Sequence, residues 1–159
     1  NQNNIEFKLW HGNSHYIADD HSGNWKDPST SPIFNGIVNI IQNFFKMDVQ
    51  QTRLNKYNSF DEWKPYHHDA AAIKEDKAET QNFTVGVSFG ATRDVAFEHS
   101  STNTKISFEL PDCYVYAFGK DVNMTWKHGI PPRKTEEWGD DNSSQERLSI
   151  ILWGKVDMV

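Results

Sequence analysis

Cysteine is almost absent from this sequence. Cys113 is the only one in 159 residues, so no disulfide can form within the chain, and a reducing compartment, cytoplasm or nucleus, is the expected location. With that expectation the Asn-any-Ser/Thr triplets at Asn82, Asn123 and Asn142 read as chance patterns rather than glycan acceptors. Long apolar runs are also missing. None approaches the ~18 residues that a spanning helix needs, so no membrane partner is expected, and no secretory leader is recognisable. Positive charge is in deficit: the net charge is −6, which removes any global attraction for phosphate backbones. Arg53, Lys56, Lys64, Lys120, Lys127, Arg133 and Lys134 could still line one groove, although a solvated surface of mixed sign explains them equally well. There is no internal repeat, low-complexity tract or second domain. The length fits a single domain over residues 1–159, expected as a monomer.

Aromatic residues are plentiful, at 13% of the chain, so bulky core material is not lacking. Residues 1–30 are polar and irregular, with one short strand expected around Ile5 to Leu9. Then comes "SPIFNGIVNIIQNFFKMD". Ser31 suits an N-cap and Pro32 a first helical position. Ile33, Ile37, Ile40, Ile41, Phe44 and Phe45 recur at helical spacing, which predicts a helix ending near Asp48. After it the period changes to two. "QTRLNKY", "NFTVGVSFG", "DVAFEH", "KISFEL", "CYVYAFG", "NMTWKHGI" and "ERLSIILWG" are short strands separated by turn residues. The helix precedes the strands instead of alternating with them. That excludes a doubly wound parallel sheet and predicts a mainly β (α+β) fold, a jelly roll with an N-terminal helix against it.

The chemistry is concentrated in "KPYHHDAAA". On extended backbone, residues two apart share a face, so His67 and Asp69 can hold one metal while His68 points away. Two histidines and one carboxylate are the donor set of a facial Fe(II) site. The second histidine must come from a distant strand. His99 and His128 are the candidates, and His128, closing an apolar strand before a proline turn, is preferred. A lone histidine is more often a surface or hydrogen-bonded residue, so the ordered combination carries the argument. Asn55 and Tyr57 precede His67, and Arg147 follows on an alternating apolar strand where a buried guanidinium needs an anion.

This order resembles the AlkB-like Fe(II)/2-oxoglutarate dioxygenases from about Arg53 to Trp153. "VSFGATRD" is similar to that family's central segment and "HGIP" to its distal-histidine turn. The resemblance implies a double-stranded β-helix, with Fe(II), 2-oxoglutarate and O₂ as cofactors. It implies His67, Asp69 and His128 as catalytic iron ligands, and Asn55 and Tyr57 as hydrogen-bond partners of 2-oxoglutarate. Arg147 would pair with its distal carboxylate, and Ser149 would add a polar contact. Two positions depart from the family pattern. Trp153 stands where a second arginine is usual, so the carboxylate beside the keto group is expected to lean on iron and Asn55, unless Arg53 or Lys127 fills the place. Ala70 and Ala71 stand where base-repair members often carry acids.

The implied reaction couples decarboxylation of 2-oxoglutarate to hydroxylation of a C–H bond; an N-methyl carbon so oxidised leaves as formaldehyde. A methylated nucleobase is one substrate class, which admits nucleic acid as a partner, with Phe83, Trp126 or Tyr16 as stacking residues if they are not core. A protein or small-molecule substrate, or a binding module with weakened turnover, are the alternatives. "WHGNSHYIADDHSGNW" reads as a substrate lid or as a strand extension.

Overall fold

The computed structural model describes the backbone of residues 6–10, 16–17 and 25–26 and all of residues 31–133 and 144–157. The elements run β1 (Glu6–Trp10), β2 (Tyr16–Ile17), β3 (Trp25–Lys26), α1 (Pro32–Phe45), β4 (Asp48–Tyr57) and β5 (Lys64–His67). A 3-10 turn (Ala70–Ala72) and the short α2 (Glu75–Ala78) lead to β6 (Phe83–Gly90), β7 (Arg93–His99), β8 (Lys105–Leu110) and β9 (Val115–Gly119). Then follow α3 (Lys120–Thr125), β10 (Trp126–Ile130) and β11 (Arg147–Lys155).

Two sheets result. The larger has seven strands in the order β3-β1-β4-β11-β6-β9, with β2 also on β4; the smaller runs β5-β10-β7-β8. All pairings are antiparallel except β1 with β3 and β2 with β4. This is the expected jelly roll with a helix on one face. The strand segments before residue 30 add to the larger sheet beyond β4, as an extension does. The side chains of that segment, Tyr16 included, lie outside the described residues. So do Lys134 and the acidic run Glu136, Glu137, Asp140 and Asp141.

The alternation of β4, β6 and β11 builds two layers. Their outward residues Val49, Val85, Val87, Ile150 and Leu152 meet Phe34, Val38 and Ile41 of α1. Their inward residues face the smaller sheet, where Tyr57, Val95, Phe97, Leu110, Phe118 and Ile130 form the second apolar cluster. No helix among the described residues is long and apolar enough to cross a membrane.

Three expectations need correction. The helix ends at Phe45, not near Asp48. Lys46 turns left-handed (φ 49°), its N–H reaches the carbonyl of Asn43, and Asp48 already begins β4. Of the helical apolar residues, Ile41 is buried, but Ile33, Ile40 and Phe44 are exposed, because the sheet is met by the face carrying Phe34 and Val38. Finally, "NMTWKHGI" is not one strand. Residues 120–125 are helical and the strand starts at Trp126, a break that turns the Asn123 side chain inward, where Asp69 holds it. That burial also removes Asn123 as a glycan acceptor.

Candidate metal centre and adjoining pocket

His67 and His128 lie directly opposite each other on β5 and β10. The pairing slips one residue further on, at Gly129. A Cβ there would stand 2.7 Å from the Lys64 carbonyl oxygen, so the close approach of the two strands requires glycine. Asp69 follows the end of β5 on backbone that is still extended (φ −67°, ψ 152°), so the alternation that pairs it with His67 persists past the strand.

Each of the three side chains is oriented by a neighbour. The Pro65 carbonyl lies 2.9 Å from Nδ1 of His67; accepting a hydrogen bond there fixes the proton on Nδ1 and leaves Nε2 as a lone-pair donor. Asp69 is held at its backbone by Asn123, whose Oδ1 accepts from the Asp69 N–H at 2.8 Å. Thr84 donates to Oδ2 of Asp69 at 2.9 Å, which leaves Oδ1 for another partner. Oδ1 lies 3.6 Å from Nε2 of His128 and 3.9 Å from Nε2 of His67. The three ligand atoms all fall within 4.8 Å of one another.

Burial keeps both imidazoles neutral. Desolvation first, then the neighbouring His128 and Lys64, lower the pKa of His67 to about 4, against the pull of Asp69. Desolvation also lowers that of His128, which sits against Phe118 and Phe97. Two neutral imidazoles and a carboxylate with one free oxygen suit a divalent cation. His68 points away: its Nδ1 lies 2.5 Å from the Asn123 carbonyl and its Nε2 3.2 Å from the Ser100 hydroxyl. His99 is also elsewhere, edge-on to Trp126 and accepting the amides of Ser101 and Thr102 at a turn.

Beside the triad a pocket opens between the sheets. Residues 147, 149, 151 and 153 of β11 share its wall, as strand alternation predicts. Arg147 is only 1% exposed, and Ser88 accepts from its Nε at 2.9 Å. Both terminal nitrogens of Arg147 are buried with no hydrogen-bond partner among the described residues. Tyr57 pairs with Arg147 in register and lies under its guanidinium, at 5.1 Å. Burial raises the Tyr57 pKa, which keeps its hydroxyl a donor, while Arg147 and Arg93 oppose the rise. Asn55 Nδ2 donates to Ser149 at 3.2 Å, and its buried Oδ1 has no partner. Turning that amide over would let Ser149 donate to Oδ1 and leave Nδ2 as a donor into the pocket.

The basic residues do not form one groove. Arg53 and Lys64 line the pocket, whereas Lys56 faces the opposite side of β4 and meets Glu146 at 3.2 Å. Lys127 is not among the pocket's lining residues. Neither Phe83 nor Trp126 lines it: Phe83 meets Phe45 under α1, and Trp126 lies against the inner cluster. Sequence reasoning missed Thr84, Ser88, Asn123 and Tyr116. Gly86 was the available signal for Tyr116. The tyrosine ring lies directly over that glycine, where any Cβ would collide with it.

Comparison with known proteins bears on the family and the fold. The family model described as "2OG-Fe(II) oxygenase superfamily" matches residues 8–152. An uncharacterized protein of Acanthamoeba polyphaga mimivirus is 29% identical over 115 residues, which are 71% of this chain and 51% of that protein. The solved structure of OsALKBH1 superposes with a TM-score of 0.51 at 14% identity, covering 80% of this chain and 64% of that one. The chain thus spans about half the length of the mimivirus protein that it matches.

Proposed function

The chain belongs to the 2OG-Fe(II) oxygenase superfamily, and from that premise we propose that it oxidises a C–H bond of a substrate at the expense of 2-oxoglutarate and O₂. The family implies Fe(II) and 2-oxoglutarate as its cofactors. In this reading His67, Asp69 and His128 hold Fe(II), whose chemistry is the activation of O₂ by oxidative decarboxylation of 2-oxoglutarate. Arg147 pairs with the distal carboxylate, Tyr57 donates to it, and Asn55, steadied by Ser149, donates beside the keto group.

The observation that carries the proposal is Arg147. A buried guanidinium whose terminal nitrogens make no well-formed hydrogen bond, and have only the neutral Tyr57 hydroxyl as a looser neighbour, costs stability unless a bound anion satisfies it. A metal protein without an acidic cosubstrate leaves this residue unexplained. An N-methyl carbon of a nucleobase is the first substrate class to examine, because the sequence resembles the AlkB-like members. Proteins and small molecules are the other classes, favoured by the net charge of −6 and by Ala70 and Ala71 beside Asp69. Residues 1–30 are proposed as the segment that covers the substrate, within a single domain in a cytoplasmic or nuclear setting.

Anaerobic titration with Fe(II) and 2-oxoglutarate tests the site. A weak visible charge-transfer band is expected from the chelate. Succinate formation under O₂ without added substrate then separates an active oxygenase from a binding module. A protein that shows neither band nor succinate is not this enzyme.

A further inference from the structure

Helix α1 carries two apolar stripes, and the sheet covers one of them. Phe34, Val38 and Ile41 are buried against the outer face of the larger sheet. Ile33, Ile37, Ile40 and Phe44 form the second stripe, on the flank of the helix. Ile37 is partly buried, while Ile33, Ile40 and Phe44 are 68–78% exposed. Single surface apolars are ordinary, but three such side chains aligned on one helix are not. Their spacing of four, three and four residues is the narrow seam of a helix that packs on another helix. Gly36 lies beside this seam. A Cβ there would meet nothing within 4 Å, so no contact among the described residues asks for a glycine that weakens the helix. A bare flank does let a second helix come close.

Charge and symmetry say which helix. Residues 31–45 contain no charged side chain, whereas the whole chain carries −6. A neutral face is where two copies of an anionic protein meet with least repulsion. The first turn of α1 has no acidic residue and the last turn no basic one, so side chains neutralise neither end of its dipole. In an antiparallel pair, each partly positive end lies beside the partly negative end of the other helix. The spacing also reads the same in both directions. An antiparallel copy sets Ile33 against Phe44 and Ile37 against Ile40, twice over, as a two-fold axis requires. We propose that α1 is a homodimer interface, in which the stripe of Ile33, Ile37, Ile40 and Phe44 packs antiparallel on the same stripe of a second copy. The dimer departs from the monomer expected of the sequence and stands independently of the proposed function.

Sedimentation velocity of the full chain, from micromolar to sub-millimolar concentration, tests the interface. A reversible dimer is expected, with a dissociation constant that moves less than about threefold when salt is raised, because no charge lies at the seam. Ile40→Glu should weaken it about a hundredfold or more, since two carboxylates would be buried near the two-fold axis. The side chain is exposed in the single chain, so circular dichroism should show the wild-type fold; Ile40→Asn serves if it does not. Disulfide cross-linking tests the register, on a Cys113→Ser background. Ile33→Cys and Phe44→Cys chains, mixed and mildly oxidised, should join to each other and not to their own kind. Like positions stand roughly 17 Å apart in the antiparallel pair. A chain that stays monomeric at every concentration overturns the proposal and leaves the stripe to a segment of a longer protein. A dimer that survives Ile40→Glu and Ile40→Asn overturns it as well, and so do cross-links between like positions.

Discussion

The two faces of the larger sheet are made by the same strands and differ in the chemistry of what they bury. On the outer face Val85, Val87, Ile150 and Leu152 meet α1 and form a dry apolar layer. One residue along, on the inner face, Thr84, Ser88, Arg147 and Ser149 form a polar wall, nearly as buried as the outer layer. Burial is therefore not what distinguishes them. The outer face is satisfied by its own contacts. The inner face keeps polar atoms without hydrogen-bond partners among the described residues, at Arg147 and Asn55. One layer stabilises the fold, and the other is the wall on which the proposed function places the cosubstrate.

That contrast breaks most completely at the ligands. His67→Ala, Asp69→Ala and His128→Ala should each abolish tight Fe(II) binding in anaerobic titration, while the metal-free protein melts near the wild-type temperature. Arg147→Met should keep Fe(II) and lose ~2–5 kcal/mol of 2-oxoglutarate affinity by calorimetry. Its unfolding free energy should stay level or rise, because an unpartnered buried charge has been removed. Leu152→Ala is the mirror experiment. Leu152 is fully buried, and its truncation should cost about 2–5 kcal/mol in denaturant unfolding while the folded fraction binds 2-oxoglutarate as before. Loss of cosubstrate affinity there would show that the two faces are not independent.

Smaller effects sharpen the picture. Thr84→Val keeps the shape but removes the donor to Asp69, and should weaken Fe(II) binding by about tenfold. His68→Ala should leave Fe(II) affinity within about twofold of wild type, since its ring is turned to Asn123 and Ser100 and the metal keeps all its ligands. If His68→Ala lost iron and His67→Ala kept it, the register of the site would be wrong by one residue.

Much of this was legible in the chain order. Alternation in "ERLSIIL" placed Arg147 and Ser149 on one face and Ile150 on the other, because a strand has period two wherever it lies. His67 and Asp69 were readable for the same reason; His128 was preferred as the end of an apolar strand, whereas it is the middle residue of β10. The helix start at Ser31 and Pro32 followed from local capping chemistry, and Ser31 does accept the Phe34 amide. The helix end was misplaced because no glycine or proline marks it; Lys46 takes the left-handed position instead.

What the sequence by itself determined is therefore local and periodic: which residues are strand or helix, and which side chains share a face. Contacts between segments far apart in the chain were decided only by the tertiary structure. Asn123 reaches Asp69 across 54 residues, and Ser88 holds Arg147 across 59. Arg53 meets Trp153 because β4 and β11 are neighbours in the sheet, although about a hundred residues separate them in the chain. No local pattern marks such partners. They are fixed by sheet order and register, which the whole chain settles when it buries its two layers at once.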